Sequence, residues 1–195
     1  FDTLLMGEGF ADPEEGYASM LDVAVAIDVI LIYELFKNQD AFFYSTFLQK
    51  GSDSLIKLGP IWDFNSSMGN SNSGASANLG GWILIGRSWP DRLYQDPTFV
   101  QAMINRWTQL REEGLIENLL SRIDGYALYL DEAQARNFER WPILGEYVWP
   151  NPVDPETGEI RQTYDEEVTY LKEWILARAQ WMDANMAGLL TYGGN

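Results

Sequence analysis

The sequence predicts a mainly α-helical fold carrying one small β-hairpin, and three features point there. Residues 17–36 are apolar on nearly every side of a helix, broken only by Asp22, Asp28 and Glu34, the pattern of a helix buried in a core. Two capping signals, Asp96-Pro97 and the pair Thr163 and Glu166, each stand in front of a long helix-compatible run. Residues 43–50 and 55–58 are short β-compatible runs around the polar turn Gly51-Ser52-Asp53-Ser54, closed by Gly59-Pro60, and they read as a hairpin.

Taken in chain order, the first helix is expected to stop near Lys37, whose charge suits a helix C-terminus. After the hairpin, residues 65–81 are so rich in Gly, Ser and Asn that they read as a mobile surface loop. Loops beyond about 12–15 residues in compact domains are usually functional or disordered. Asp96 should cap a helix running to about residue 111, followed by a second over 115–140 with a break near Gly125. Residues 141–162 are a Pro-rich connector, and the Thr163/Glu166 capping box opens a last helix to about Met186. Of the eight Trp, Trp82, Trp89, Trp107, Trp141, Trp149, Trp174 and Trp181 are expected mostly on helices and in the core.

Composition bounds the chemistry. At 195 residues with 46% apolar and 14% aromatic content, the chain can bury a sizeable core and amounts to one domain or a large part of one. No apolar run approaches the roughly 18–20 residues that span a bilayer. The chain begins at Phe1 with no start-like pattern, which reads as a fragment of a longer precursor. With no Cys and no His, a Ser-His-Asp triad, a cysteine nucleophile, an HExxH zinc site and a disulfide framework are all excluded. Catalysis would rest on carboxylates, hydroxyls, amides, Lys or Arg, and a bound metal would be a hard one such as Mg²⁺, Mn²⁺ or Ca²⁺. A net charge of −16 with 13 Lys and Arg argues against a nucleic-acid surface. That acidity reads as solubility, or as attraction for cations or a basic peptide.

The hairpin brings two acids into view. Asp40 lies 12 residues before Ser52 and Asp63 lies 10 after Asp53 (52 − 40 and 63 − 53), so both are expected at the open end of the hairpin. Paired strands about 4.8 Å apart would hold the two carboxylates within roughly 5–10 Å. That separation suits a shared metal-phosphate complex, and two like charges so close need a cation between them. Acids flanking a hairpin are common, however, and spacing alone favours an ordinary structural reading.

Residues 33–70, YELFKNQDAFFYSTFLQKGSDSLIKLGPIWDFNSSMGN, resemble the signature of the spore coat protein H (CotH) kinase family. In that signature an E-L-x-x-N-x-D segment precedes S-T-Y-L-Y-K, then G-P-x-W-D-F-D and a nearby Gly-Asn. The matching residues are Glu34, Leu35, Asn38 and Asp40; Ser45, Thr46 and Leu48; Gly59, Pro60, Trp62, Asp63 and Phe64; then Gly69 and Asn70. Residues 89–111, 136–142 and 164–183 resemble later blocks of the family. The resemblance implies the C-terminal, catalytic-loop lobe of an atypical protein kinase-like fold over residues 1–195, with the nucleotide-covering portion upstream. It implies Mg²⁺- and ATP-dependent phosphate transfer to Ser residues of a basic, Ser-rich protein, in an extracellular, spore or cell-surface setting. By that resemblance Asp40 takes the catalytic-loop acid role, Asn38 orients the loop or the metal, and Asp63 holds the metal. Asn65 stands where the family usually has a second Asp; it keeps an oxygen for metal and nucleotide but loses a charge. Trp62 either walls the nucleotide site or packs the hairpin core.

Two other functions stay open at this point. The Asn65 departure fits a degenerate, non-catalytic coat or surface binding protein on the same fold. Eight Trp, ten Tyr and many acids fit a carbohydrate-active protein with a carboxylate pair. Glu34 reads as a solvated acid near a helix end or as a support behind the site, and Gly69-Asn70 as a holder of the loop beside phosphates or as a plain turn.

Overall fold

The computed structural model describes residues 1–72, 74–154 and 157–193. Ser73 of the expected loop, Pro155 and Glu156 of the expected connector, and Gly194 and Asn195 lie outside the described residues. The architecture is mainly helical: α1 (Asp2–Leu5), α2 (Val23–Phe36), α3 (Ser88–Leu93), α4 (Pro97–Glu112), α5 (Leu115–Tyr129), α6 (Asp131–Arg140) and α7 (Tyr164–Asn185). Between α2 and α3 lies one two-stranded antiparallel hairpin, β1 (Leu48–Gln49) and β2 (Lys57–Leu58).

Helix α2 is the central element. Ala26, Ile27, Val29, Ile30, Leu31, Tyr33, Glu34 and Leu35 are all buried, which needs packing partners all round, and it has them in α4, α7 and β2. Facing stripes close the core: Phe99, Val100, Met103 and Trp107 on α4, and Trp174, Ile175, Arg178, Ala179 and Met182 on α7, both at helical spacing. Each fully buried aliphatic or aromatic side chain contributes about 2 kcal/mol. Among the described residues no helix is long and apolar enough to cross a membrane.

The local capping signals are realised. Asp96 accepts from the Thr98 N–H at 2.8 Å through one oxygen and from the Tyr17 hydroxyl at 2.6 Å through the other. Thr163 and Glu166 form the reciprocal capping box of α7. Other boundaries move. Helix α2 begins at Val23 because Asp22 caps it by accepting from the Val25 N–H, and residues 17–19 form a separate 3-10 turn. The break in the 115–140 helix falls at Leu130 instead of Gly125. An exposed Gly inside a helix costs only about 1 kcal/mol, whereas Asp131 and Glu132 favour a new N-terminus. Helix α3 has no counterpart in the sequence expectation.

The hairpin is much shorter than expected. Its ladder pairs Leu48 with Leu58 and Gln49 with Lys57, and residues 43–47 are turn and irregular chain. The Asp40 carbonyl accepts from the N–H groups of Phe43, Tyr44 and Ser45 at 3.1, 2.9 and 3.1 Å, so the donors a strand would have used are turned inward. On the other side Pro60 has no N–H to offer. The 65–81 segment lies largely at the surface, as expected, but is tied into the domain at several points. Ser67, Ser71 and Ser76 are buried, and Ala75–Ala77 form a 3-10 turn. The expectation for Trp also fails in part. Trp107 and Trp174 are core, but Trp62, Trp141 and Trp149 are 60%, 57% and 75% exposed. Trp62 therefore does not pack the hairpin interior and meets Phe47 edge-on at 6.4 Å.

Candidate functional site

Helix α2 ends at Lys37, which adopts the left-handed conformation (φ 48°, ψ 51°), and the chain turns at once into Asn38-Gln39-Asp40. Asn38 is buried, and its amide spans two segments. Its Oδ1 accepts from the Asp40 N–H at 3.0 Å, while its Nδ2 donates to the Asp63 carbonyl at 2.8 Å and the Trp62 carbonyl at 3.4 Å. The Ser45 hydroxyl donates to Asp63 Oδ2 at 3.0 Å. Asp40 and Asp63 thus lie on adjoining segments at the open end of the hairpin, tied there by side chains where the ladder does not reach.

Asp63 is itself in the left-handed region (φ 63°), a conformation that Asp tolerates better than most residues. Phe64 fixes the turn that follows: its ring stacks on Tyr33 at 5.6 Å and meets Phe36 edge-on at 5.9 Å, both on α2. The Met68 N–H then caps the Phe36 carbonyl at 2.7 Å. Asn65 is exposed; its Nδ2 donates to Ser66 Oγ at 3.3 Å, and its carbonyl accepts from Asn70 Nδ2 at 2.9 Å. Gly69 packs under Trp174 and Tyr170 of α7, and its carbonyl accepts from the Tyr170 hydroxyl at 3.2 Å. A cavity of about 330 Å³ opens beside this turn, lined by Phe64, Asn65, Met68, Arg161, Tyr170 and Leu171 among others.

Among the described residues the Asp40 carboxylate has no hydrogen-bond partner, and the Asp63 carboxylate has only Ser45. Exposed aromatic and aliphatic side chains, Phe43, Tyr44, Phe47, Ile61 and Trp62, flank the pair. No group of three or more acidic residues that could hold a metal by itself occurs among the described residues.

Behind the site lies a charged cluster, at a position where the sequence alone favours a solvated acid. Glu34 is completely buried, accepting from the Ile83 and Leu84 N–H groups at 2.8 and 2.9 Å and the Tyr94 hydroxyl at 3.0 Å. Its partner is Arg178, also wholly buried, at 3.3 Å. Burial pushes the Glu34 carboxyl above its usual range, opposed by the Ile83 N–H and then by Arg178. Burial lowers Arg178 to about 10, opposed by Glu34. Lys37, almost fully enclosed, is lowered to about 8, first by burial and then by Arg178; its Nζ donates to the Gly80 carbonyl. The one signal in the sequence is Glu34 itself, an acid on an otherwise apolar helix.

The model of the CotH kinase protein family matches residues 6–182. No curated protein and no solved structure matches the chain. With nearly all of the chain inside that match, and Asn38, Asp40, Asp63 and Phe64 joined as described, the chain belongs to the CotH kinase protein family.

Proposed function

We propose that this chain is the catalytic-loop portion of an ATP- and Mg²⁺-dependent protein serine kinase, a C-terminal lobe of the atypical kinase kind whose nucleotide-covering portion lies upstream. The observation that supports the reading best is the Asn38 side chain, which bonds the main chain of both Asp40 and Asp63 and leaves the Asp40 carboxylate unengaged. The donors at Asp63 and Asn65 fit Mg²⁺, which takes one or two protein carboxylates and fills its shell with phosphate and water. When bound, Mg²⁺ neutralises charge on the transferred phosphate. The chain's own residues would do the rest. Asp63 Oδ1 is free to ligate while Ser45 holds Oδ2. Asp40 would accept the proton of a serine hydroxyl as the new O–P bond forms to the γ-phosphorus and the bond to the leaving ADP oxygen breaks. Trp62 would wall the nucleotide side.

The acceptor in this reading is a serine of a basic protein, attracted by the chain's net charge of −16, at a spore or cell surface. Asn65 favours a second reading, a phosphate-binding scaffold without transfer, because an amide replaces the family's second carboxylate. Transfer of labelled phosphate to a basic Ser-rich peptide by the full-length protein separates the two. Active wild type with loss of transfer in Asp40→Ala, nucleotide binding retained, supports the kinase. Binding without transfer supports the scaffold, and absence of Mg²⁺-dependent nucleotide binding overturns both.

A further inference from the structure

Glu34, Arg178 and Lys37 are among the most deeply buried side chains of the protein, at 0%, 0% and 2% exposure. Taking each charge out of water costs several kcal/mol, and an apolar set of the same volume is often equally stable or more so. Stability alone is therefore a weak reason for the arrangement, and the destinations of the hydrogen bonds are more informative. Most go to main chain. Arg178 Nε donates to the Glu34 carbonyl at 3.1 Å, an orphan acceptor of the last turn of α2. Its Nη1 donates to the carbonyls of Leu79 and Gly81 at 2.6 and 2.9 Å. Lys37 takes the Gly80 carbonyl, and Glu34 takes the Ile83 and Leu84 N–H groups. The guanidinium also lies over the Trp181 ring at 4.4 Å.

These bonds fix two things relative to each other: the end of α2, from which Asn38 and Asp40 emerge, and segment 79–84, the return of the loop that leaves at Asp63. The loop touches the acid segment directly as well. Ser76 Oγ donates to Gln39 Oε1 at 3.0 Å, and Gly74 passes so close that a Cβ there would lie 3.1 Å from the same oxygen. Gln39 stands between Asn38 and Asp40.

We propose that Arg178, through its fork to Glu34 and to the carbonyls of Leu79 and Gly81, is a positioning residue that sets the place of Asn38 and Asp40 from behind, with Ser76 and Gln39 as the second point of support. Arg178 touches no reacting atom. The inference rests on the kinase reading for its kinetic consequence, but its structural content stands apart from it. A lysine at 178 keeps the charge and cannot reproduce the fork.

The test uses the full-length protein with Arg178→Lys, the double variant Glu34→Gln/Arg178→Met, and Ser76→Ala. Steady-state kinetics, thermal midpoint and hydrogen exchange at the Asp40 amide, which is bonded to Asn38, are read for each. Arg178→Lys is expected to lower kcat about a hundredfold, the scale of a misplaced catalytic group, leaving KM for ATP unchanged. Exchange at Asp40 should speed up in all three. The double variant should regain the thermal midpoint without regaining kcat. A double variant with wild-type midpoint and wild-type kcat, or unchanged protection of Asp40 in Arg178→Lys, overturns the proposal. If Arg178→Lys does not fold, Ser76→Ala must show the loss of protection instead. If wild type transfers no phosphate, the kinase reading fails, and protection at Asp40 alone decides whether Arg178 positions the acid segment.

Discussion

Replacing Gly69 by alanine tests whether the Gly/Ser/Asn-rich segment is packed as tightly as the structure has it. Gly69 sits at φ +76°, and a Cβ there would lie 2.4 Å from Trp174 Cδ1, 2.6 Å from Trp174 Nε1 and 2.6 Å from the Tyr170 hydroxyl. The backbone conformation alone costs an L-residue roughly 1–2 kcal/mol. Pushing aside a buried tryptophan adds roughly 1–3 kcal/mol. Gly81 supplies the control, since it has φ +77° and a methyl added there would meet nothing within 4 Å, so Gly81→Ala should carry only the backbone cost. Urea unfolding, followed by tryptophan fluorescence, gives both values. Gly69→Ala should be the more destabilising by roughly 1–3 kcal/mol, with the slope m unchanged. Equal costs for the two variants would refute the close contact.

Asp63→Asn should abolish Mg²⁺-dependent transfer in the full-length protein, and Asn65→Asp should lower the Mg²⁺ concentration for half-maximal rate, a charge-assisted contact exceeding a neutral one by about 1 kcal/mol. Transfer untouched by Asp63→Asn would sink the metal assignment. Tyr17→Phe should cost about 1.5–3 kcal/mol in urea unfolding by removing the hydroxyl bonded to the buried Asp96 carboxylate; a neutral result would deny that bond. Lys37 gives a pH dependence. Its native value of about 8 lies below the ordinary one, so above pH 8 the unfolded chain keeps a proton the native state has released, and stability rises with pH. The gain should be roughly 2 kcal/mol between about pH 7.5 and 9.5, and Lys37→Met should erase it. A wild type whose urea midpoint is flat over that window would contradict the burial of a charged Lys37.

What is legible in the sequence is local. Asp96 and Thr163/Glu166 announce helix starts because a cap is a bond over two or three residues, and both are present. Asp22 carries the same chemistry but is hidden inside an apolar run that begins earlier. The hairpin is recognisable from its turn, yet its length is not, because the donors of residues 43–45 are captured by the Asp40 carbonyl, a bond no residue pattern announces. The buried cluster is least legible. Glu34 and Arg178 are 144 residues apart, and periodicity cannot pair an acid on one helix with a base on another.

Asp40 and Asp63 lie on adjoining segments, but hairpin symmetry is not what joins them. In the observed register, partners sum to 106 (48 + 58 and 49 + 57), so the ladder extended outward would set Asp63 opposite Phe43 and leave Asp40 out of step. The signature residues Glu34 and Asn38 resolve this. They stand four residues apart, Glu34 in the last turn of α2 and Asn38 just past its end, and each turns its side chain to the main chain of a loop: Glu34 to the N–H groups of 83 and 84, Asn38 to the carbonyls of 62 and 63 and the N–H of 40. A buried side chain fixes a backbone more firmly than a ladder of two rungs, because its own rotamer is held by the core around it. The polar groups that lock the loops are therefore buried and satisfied, while the two carboxylates they present are left largely without protein partners.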